Sequence, residues 1–228
     1  MKASAHLRVG WDGTRAYAAD VRAEVPFSIR HAGDRFVFVS SAAAPVRGDE
    51  LEVSIELAPG AVAEIGTVAA TVLWPGPDGA AVGPPSRTTT SITVGAGGHL
   101  RWVPEPTVSV AGSNHVARTL IALGAGATCT IVEEYALGRH GERCGTLTTE
   151  LRLERRGRPL VHHAERFEPG SPRHVVAAVT VGAPRVPMVL IDAERGVHAA
   201  TMAAAASDTW VTLATGPDRP ALLPYLPA

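Results

Sequence analysis

The 228-residue chain carries 21 basic and 22 acidic residues, a formal net charge of −1, so no overall field draws it to nucleic acid or an anionic membrane. Hydrophobic residues make up 46% of it, enough for a sizeable core and too many for a disordered chain. Only Lys2 among the basic residues is a lysine, a bias that beside so much Ala and Gly reflects genome composition rather than guanidinium chemistry.

The opening MKASAHLRVGWDG lacks the apolar run and small-residue cleavage site of a signal peptide. No stretch approaches 18 uninterrupted apolar residues, so a membrane span is not expected and the expected compartment is the cytoplasm. Cys129 and Cys144 are then reduced thiols, and without a CxxC pair they do not frame a metal site.

Strand signals dominate from there on. DRFVFVSS (34–41), DELEVSIEL (49–57) and GTLTTELRLERRG (145–157) alternate apolar and polar residues with period two. In the second, Leu51, Val53, Ile55 and Leu57 share one face; in the third, Leu147, Leu151 and Leu153 point inward. WPGPDGAAVGPPS (74–86) reads as an exposed loop. Late in the chain, VHAATMAAAAS (197–207) has the alanine content of a short helix, and PALLPYLPA (220–228) leaves room for one helical turn between prolines. The pattern predicts one all-β unit over 1–228 with one or two short C-terminal helices.

One stretch recurs. LAPGAVAEI (57–65) returns altered as ITVGAGGHL (92–100) and IALGAGATC (121–129), offset by 37 and then 29 residues when aligned on Gly60, Gly97 and Gly126. The spacing is too uneven for a regular solenoid repeat. Hairpin and corner turns everywhere use glycine in this way, which accounts for the similarity without further meaning. Alternatively the three are successive rungs of a stacked β-architecture. In register, the stretches just past each glycine would then bring Thr67, Glu105 and Glu133 to one polar edge.

No GxSxG, HExxH, Walker loop or strand-to-helix GxGxxG is present, so no enzyme is indicated. His163 and Glu165 in PLVHHAERF share a strand face and suit nickel or zinc, but adjacent polar residues at a strand end are usually just exposed. His140 with Cys144 is a loose pair, and His99 and His115 stand alone. The carboxylates are richer: Asp49, Glu64, Glu105, Glu133, Glu134 and Glu142. Glu133 and Glu134 interrupt the apolar run CTIVEEYAL, so alternation turns one of them inward, where a carboxylate needs a partner or a metal. Arg139 is the nearest partner along the chain.

Taken in order, PVRGDELEVSIELAPGA, TVAATVLWPG, LRWVPEPTVSVAGS, VEEYALGRHGE and LVHHAERF resemble the landmark series of the urease accessory protein UreD (UreH) family, most closely over 26–168. No single motif decides it; the ordered set does. The resemblance implies a stacked or helical all-β fold without catalytic activity, a chaperone that binds apo-urease and a UreF-like accessory protein. A UreG-like GTPase would join indirectly, with neither nucleic acid nor membrane as partner. It also implies transient nickel, routed along a polar path whose weak oxygen ligands let an ion enter and leave.

Carried over residue by residue, Asp49, Thr67, Glu105 and Glu133 are the candidate nickel path, and Thr71, Trp102, Arg139 and Glu142 are partner-facing or structural. Ala43-Ala44 stands where the family has a glycine pair, and Val68 and Val72 stand where it is usually polar. The competing expectation is an unrelated all-β binding module with no nickel role.

Overall fold

The computed structural model describes residues 1–76, 83–182, 188–192, 194–204 and 208–225. The first strands are β1 (Lys2–Trp11), β2 (Ala16–Ala23), β3 (Phe27–Ala32), β4 (Arg35–Ser40), β5 (Glu50–Leu57) and β6 (Val62–Thr67). Next come β7 (Thr71–Leu73), β8 (Ser86–Val94), β9 (His99–Trp102), β10 (Thr107–Ser109), β11 (Asn114–Leu123) and β12 (Thr128–Leu137). The last are β13 (Thr146–Arg155), β14 (Arg158–Phe167), β15 (His174–Val181), β16 (Met188–Asp192), β17 (Val197–Ala203) and β18 (Thr209–Gly216). A four-residue helix α1 (Arg219–Leu222) and a 3-10 turn over Leu223–Tyr225 follow.

The strands expected at 34–41, 49–57 and 145–157 are β4, β5 and β13. The expected loop at 74–86 lies partly outside the described residues, since 77–82 are not among them. The alanine-rich stretch at 197–207, expected to be helical, is a strand: β17 covers Val197–Ala203, and 205–207 fall outside the described residues. Helix propensity is a weak preference, and here tertiary pairing overrides it. β17 hydrogen-bonds β16 on one side and β18 on the other, with Val197 and Ala199 buried beneath Leu222.

Two sheets face each other. The first has the order β14-β13-β11-β8-β5-β1-β2, and its five middle strands are mutually parallel. The second runs β16-β17-β18-β15-β12-β9-β6-β4-β3, with β10 and β7 attached to it off that path. The three repeats are the crossings between the sheets: β5 turns into β6, β8 into β9, and β11 into β12. Gly60, Gly97 and Gly126 hold left-handed φ values of 73°, 66° and 67° at these corners. The corners stack directly, Gly60 N donating to Ala96 O and Gly97 N to Ala125 O, each at 2.9 Å. The repetition is therefore a set of stacked rungs.

Stacking also explains how the repeats differ. Ala58 stands where the later rungs have Gly95 and Gly124. A Cβ on Gly95 would lie 2.5 Å from Pro59 N, and one on Gly124 2.6 Å from Ala96 N, because each sits on the backbone of the preceding corner. Ala58 lies instead against the end of β1, donating its amide to Val9 O, and keeps its methyl.

Parallel register lines identical levels of the rungs into rows. Next to the corners the first sheet presents an aliphatic row, Leu7, Ile55, Ile92, Ile121 and Leu153. Against it pack Ile65, Trp102 and Ile131, which are aligned in the second sheet. Two residues further from the corner the row reads Val53, Thr90, Thr119 and Leu151, and two further again Leu51, Thr88, Ala117 and Thr149. The core is dry at one end of the rungs and hydroxylated at the other.

The Gly124→Ala substitution is expected to lower unfolding stability by about 1–3 kcal/mol, the usual cost of overpacking against fixed backbone. Ala58→Gly should cost no more than about 1 kcal/mol. Urea titration of the two variants beside the parent chain checks the contrast, and equal losses would contradict the stacking account.

Candidate functional site: a cavity at a break in the second sheet

A cavity of about 440 Å³ occupies the hydroxylated end of the rungs. Thr88, Thr90, His115 and Thr119 line it from the first sheet, and Thr67, Trp102, Glu133 and Tyr135 from the second. The second sheet is broken beside it. β12 pairs with β9 only through Thr128–Ile131 and with β10 only through Tyr135–Leu137, which leaves Val132–Glu134 without a strand on that side. The chain that would fill the gap is Val103-Pro104-Glu105-Pro106, and proline has no amide hydrogen to give to a ladder. The first rung breaks at the same level, between β6 and β7. Lacking a ladder partner, the Glu105 amide donates to Thr67 Oγ1 at 2.9 Å, tying two rungs together across the gap.

Glu133 and Glu134 flank this window on opposite faces, the first half-buried against the cavity and the second buried. Glu133 points into the cavity, where its carboxylate accepts from Thr119 Oγ1 and, at 2.8 Å, from the Tyr135 hydroxyl. Burial raises its pKa above the ordinary 4.5, partly offset by those two donors and by the charge of His163. The Tyr135 hydroxyl is pushed well above 10.0 by burial and by the adjacent carboxylate. Glu134 faces the outside of the sheet with its side chain only 2% exposed, held by His174 Nε2 at 2.6 Å and by Arg219 Nε at 2.9 Å. The expected partner Arg139 is not used by either carboxylate. It forms a 2.7 Å ion pair with Glu142 in the loop after β12, and Glu142 also accepts the Ala111 amide.

The structure brings together three of the four residues expected on a nickel path, Thr67, Glu105 and Glu133. It sets Asp49 apart: that carboxylate is buried outside the cavity lining, accepting the Met1 amino group at 2.7 Å and the Val46 amide at 2.8 Å. Thr71 lines the cavity, and Trp102 packs edge-on to Phe38 with ring centroids 6.3 Å apart. Ala43, Ala44, Val68 and Val72 line the same cavity and make that part of its wall apolar.

His163 and Glu165 do share an inward face, paired at 3.5 Å, and this pairing raises the His163 pKa. His115 is neutral: burial lowers its pKa to about 4, and Ser86 Oγ lies 2.8 Å from its Nδ1. Among the described residues no three His, Cys, Asp or Glu side chains converge to hold a metal ion. The cavity thus presents scattered hydroxyl and carboxylate oxygens and the His115 imidazole.

Sequence reasoning missed Thr119, Tyr135, His174 and Arg219. Tyr135 was within reach, since it lies two residues beyond Glu133 on the same strand face. Thr119 was as well, because aligning Ile121 with Ile92 places it level with Thr90. His174 and Arg219 lie 40 and 85 residues from Glu134 and carry no local signal.

Comparison with known proteins settles the family. The family model for the UreD urease accessory protein matches residues 1–216. The chain belongs to the UreD family. It is 38% identical over 179 residues to urease accessory protein UreD 3 of Streptomyces griseus, covering 75% of this chain and 69% of that protein. A UreD of Streptomyces coelicolor is 34% identical over 75% of this chain and 68% of its own length. UreD 1 of Saccharopolyspora erythraea is 33% identical over 94% of this chain and 84% of its own. UreD proteins are accessory proteins of urease and not catalysts, which agrees with the lack of any enzyme motif in the sequence. Among the described residues no helix is long and apolar enough to cross a membrane.

Glu133→Gln isolates the buried carboxylate. Its raised pKa means that the native state holds this proton more tightly than the unfolded chain. Its contribution therefore favours folding below the ordinary 4.5 and is lost as pH rises through the native value. The Gln variant should match or exceed the parent in Tm at neutral pH, with the difference vanishing below about pH 4. Thermal unfolding across that range checks it; a variant destabilised equally at every pH would contradict it.

Proposed function

We propose that this UreD-family chain is a non-catalytic scaffold of urease maturation in the cytoplasm. It binds apo-urease and a UreF-like partner, which brings in a UreG-like GTPase, and helps pass nickel to the urease active site. One observation carries the nickel role. A largely apolar cavity that also carries threonine hydroxyls and the half-buried Glu133 carboxylate reaches a break in the sheet where Glu105 stands with its side chain 39% exposed. Nickel is cargo here, and a path of Thr67, Glu105 and Glu133 oxygens suits a hard-to-trap transit. Carboxylates attract the ion, hydroxyls replace part of its hydration, and no set of strong nitrogen or sulfur ligands arrests it.

The family relationship supports the urease partnership, and the named relatives are urease accessory proteins. Burial supports the transit role for Glu133 in particular. Burial raises the Glu133 pKa, so a divalent ion that reaches this carboxylate competes with a proton for it. The apolar wall at Ala43, Ala44, Val68 and Val72 narrows the polar surface to the side formed by the three rung exits.

Co-expression with urease and its accessory proteins tests this directly. Glu105→Gln with Glu133→Gln should lower the nickel content of purified urease about tenfold, equivalent to roughly 1.4 kcal/mol, with the scaffold still co-purifying with its partners. Asp49→Asn should lower the stability of the scaffold and leave urease nickel unchanged. Full nickel loading by the double variant would overturn the path, and failure to co-purify with either urease or a UreF-like protein would overturn the scaffold role.

A further inference from the structure

The outer side of the window is closed by a contact that the transit role does not require. Glu134, whose side chain is 2% exposed, cannot stand unpaired in that position. His174 supplies one partner, and Arg219 supplies the other from the first position of α1, just beyond the segment that the family model matches. The Arg219 Nε reaches both Glu134 oxygens, at 2.9 and 3.1 Å, while its Nη1 lies 3.6 Å from Glu105 Oε2. One guanidinium is therefore shared between two carboxylates at the cavity wall.

The helix that carries Arg219 is short and relies on its cap and on docking to the sheet. Four residues cannot sustain a helix in water, because nucleation is costly and too few bonds follow it. Asp218 caps it, accepting the Ala221 amide at 3.0 Å. Leu222, 1% exposed, docks among Val132, Val176, Ala178, Val197, Ala199 and Ala214. Ala221 and Tyr225 pack against the same cluster, so the order of α1 depends on this apolar docking, centred on Leu222, and on the Arg219 ion pairs.

We propose that Arg219 is a displaceable stand-in cation: a divalent ion reaching Glu105 and Glu134 competes with the guanidinium, so that ion arrival releases α1 and docked α1 expels the ion. This rests on the reading that a divalent cation uses the window. Charge favours the exchange, since an ion carrying two charges replaces a group carrying one between the same two carboxylates. Exposure sets which side moves. Arg219 is 46% exposed and swings into water without stranding a charge, whereas Glu134 is locked in the sheet and keeps His174 as its partner. The coupling is reciprocal by linkage: anything that loosens α1 tightens the ion, and the ion loosens α1.

The test uses the purified, untagged full chain with nickel chloride. Hydrogen exchange at the Ala221 and Leu223 amides, both bonded within the α1 cap, should accelerate on adding nickel. Arg219→Gln and Leu222→Ala should each tighten nickel binding about fivefold or more by calorimetry, the lower end of typical coupling. Leu222→Ala leaves every charge in place, so tightening there reports the latch and not simple removal of a competing charge. Tight nickel binding with unchanged α1 exchange overturns the clamp and leaves the transit role standing, as does tightening by Arg219→Gln without tightening by Leu222→Ala. Accelerated exchange that persists in Glu133→Gln, in a chain that still loads urease normally, supports the clamp and removes the interior path. No nickel uptake by any of the proteins removes both.

Discussion

A parallel ladder shares the amides and carbonyls of each rung between the rungs on either side of it, and that single constraint organises this molecule. Once the corners at Gly60, Gly97 and Gly126 are stacked, the level of every side chain on β5, β8 and β11 is fixed, and so is its row. Rows of isoleucine near the corners give a dry core without further specification. Two threonines in each of the rows two and four residues away place hydroxyls on the wall by the same geometry. The cavity is a consequence of register as much as of any particular residue.

The break in the second sheet follows from the same rule applied in reverse. Where the ladder meets Pro104 and Pro106 it finds no amide donor, although Pro106 O still accepts from Thr71 N, and a gap opens at the level of Thr67, Glu105 and Glu133. Two consecutive glutamates then border the gap from opposite faces. Burial treats them differently because their surroundings differ. Glu133 meets neutral hydroxyls and burial raises its pKa, while Glu134 is hydrogen-bonded by His174 and ion-paired with Arg219. Adjacent positions on one strand thus serve as an interior acceptor and an exterior anchor.

Much of this was legible in the chain itself, for physical reasons that also mark where legibility stopped. Period-two alternation exposed β4, β5 and β13, because one face of each strand is wet. The recurrence of LAPGAVAEI pointed to the rungs, although only the hydrogen bonds between corners separate stacking from shared turn chemistry. Alternation in CTIVEEYAL required an inward carboxylate without saying which one, and the answer was that Glu133 turns into the cavity, half-buried, while Glu134 is buried on the opposite face. Alanine content misled at 197–207, where pairing with β16 and β18 outweighs intrinsic helix preference. Arg139 seemed the natural partner because it was near in sequence, whereas the real partners of Glu134 arrive from remote strands and from α1. Asp49 followed the family pattern and yet serves the amino terminus, a contact between chain segments 48 residues apart that no motif records.

The stacked corners also set the grain of permissible change in this fold. Adding one residue to a single rung would turn every side chain beyond it to the wrong face, exchanging core for solvent along that strand. Adding a complete rung, corner included, would leave both ladders in step and only lengthen the cavity by one strand spacing of about 4.8 Å. Length in such a molecule is counted in whole storeys, and variation among its relatives is easiest at the roof, the ground floor and the connecting loops.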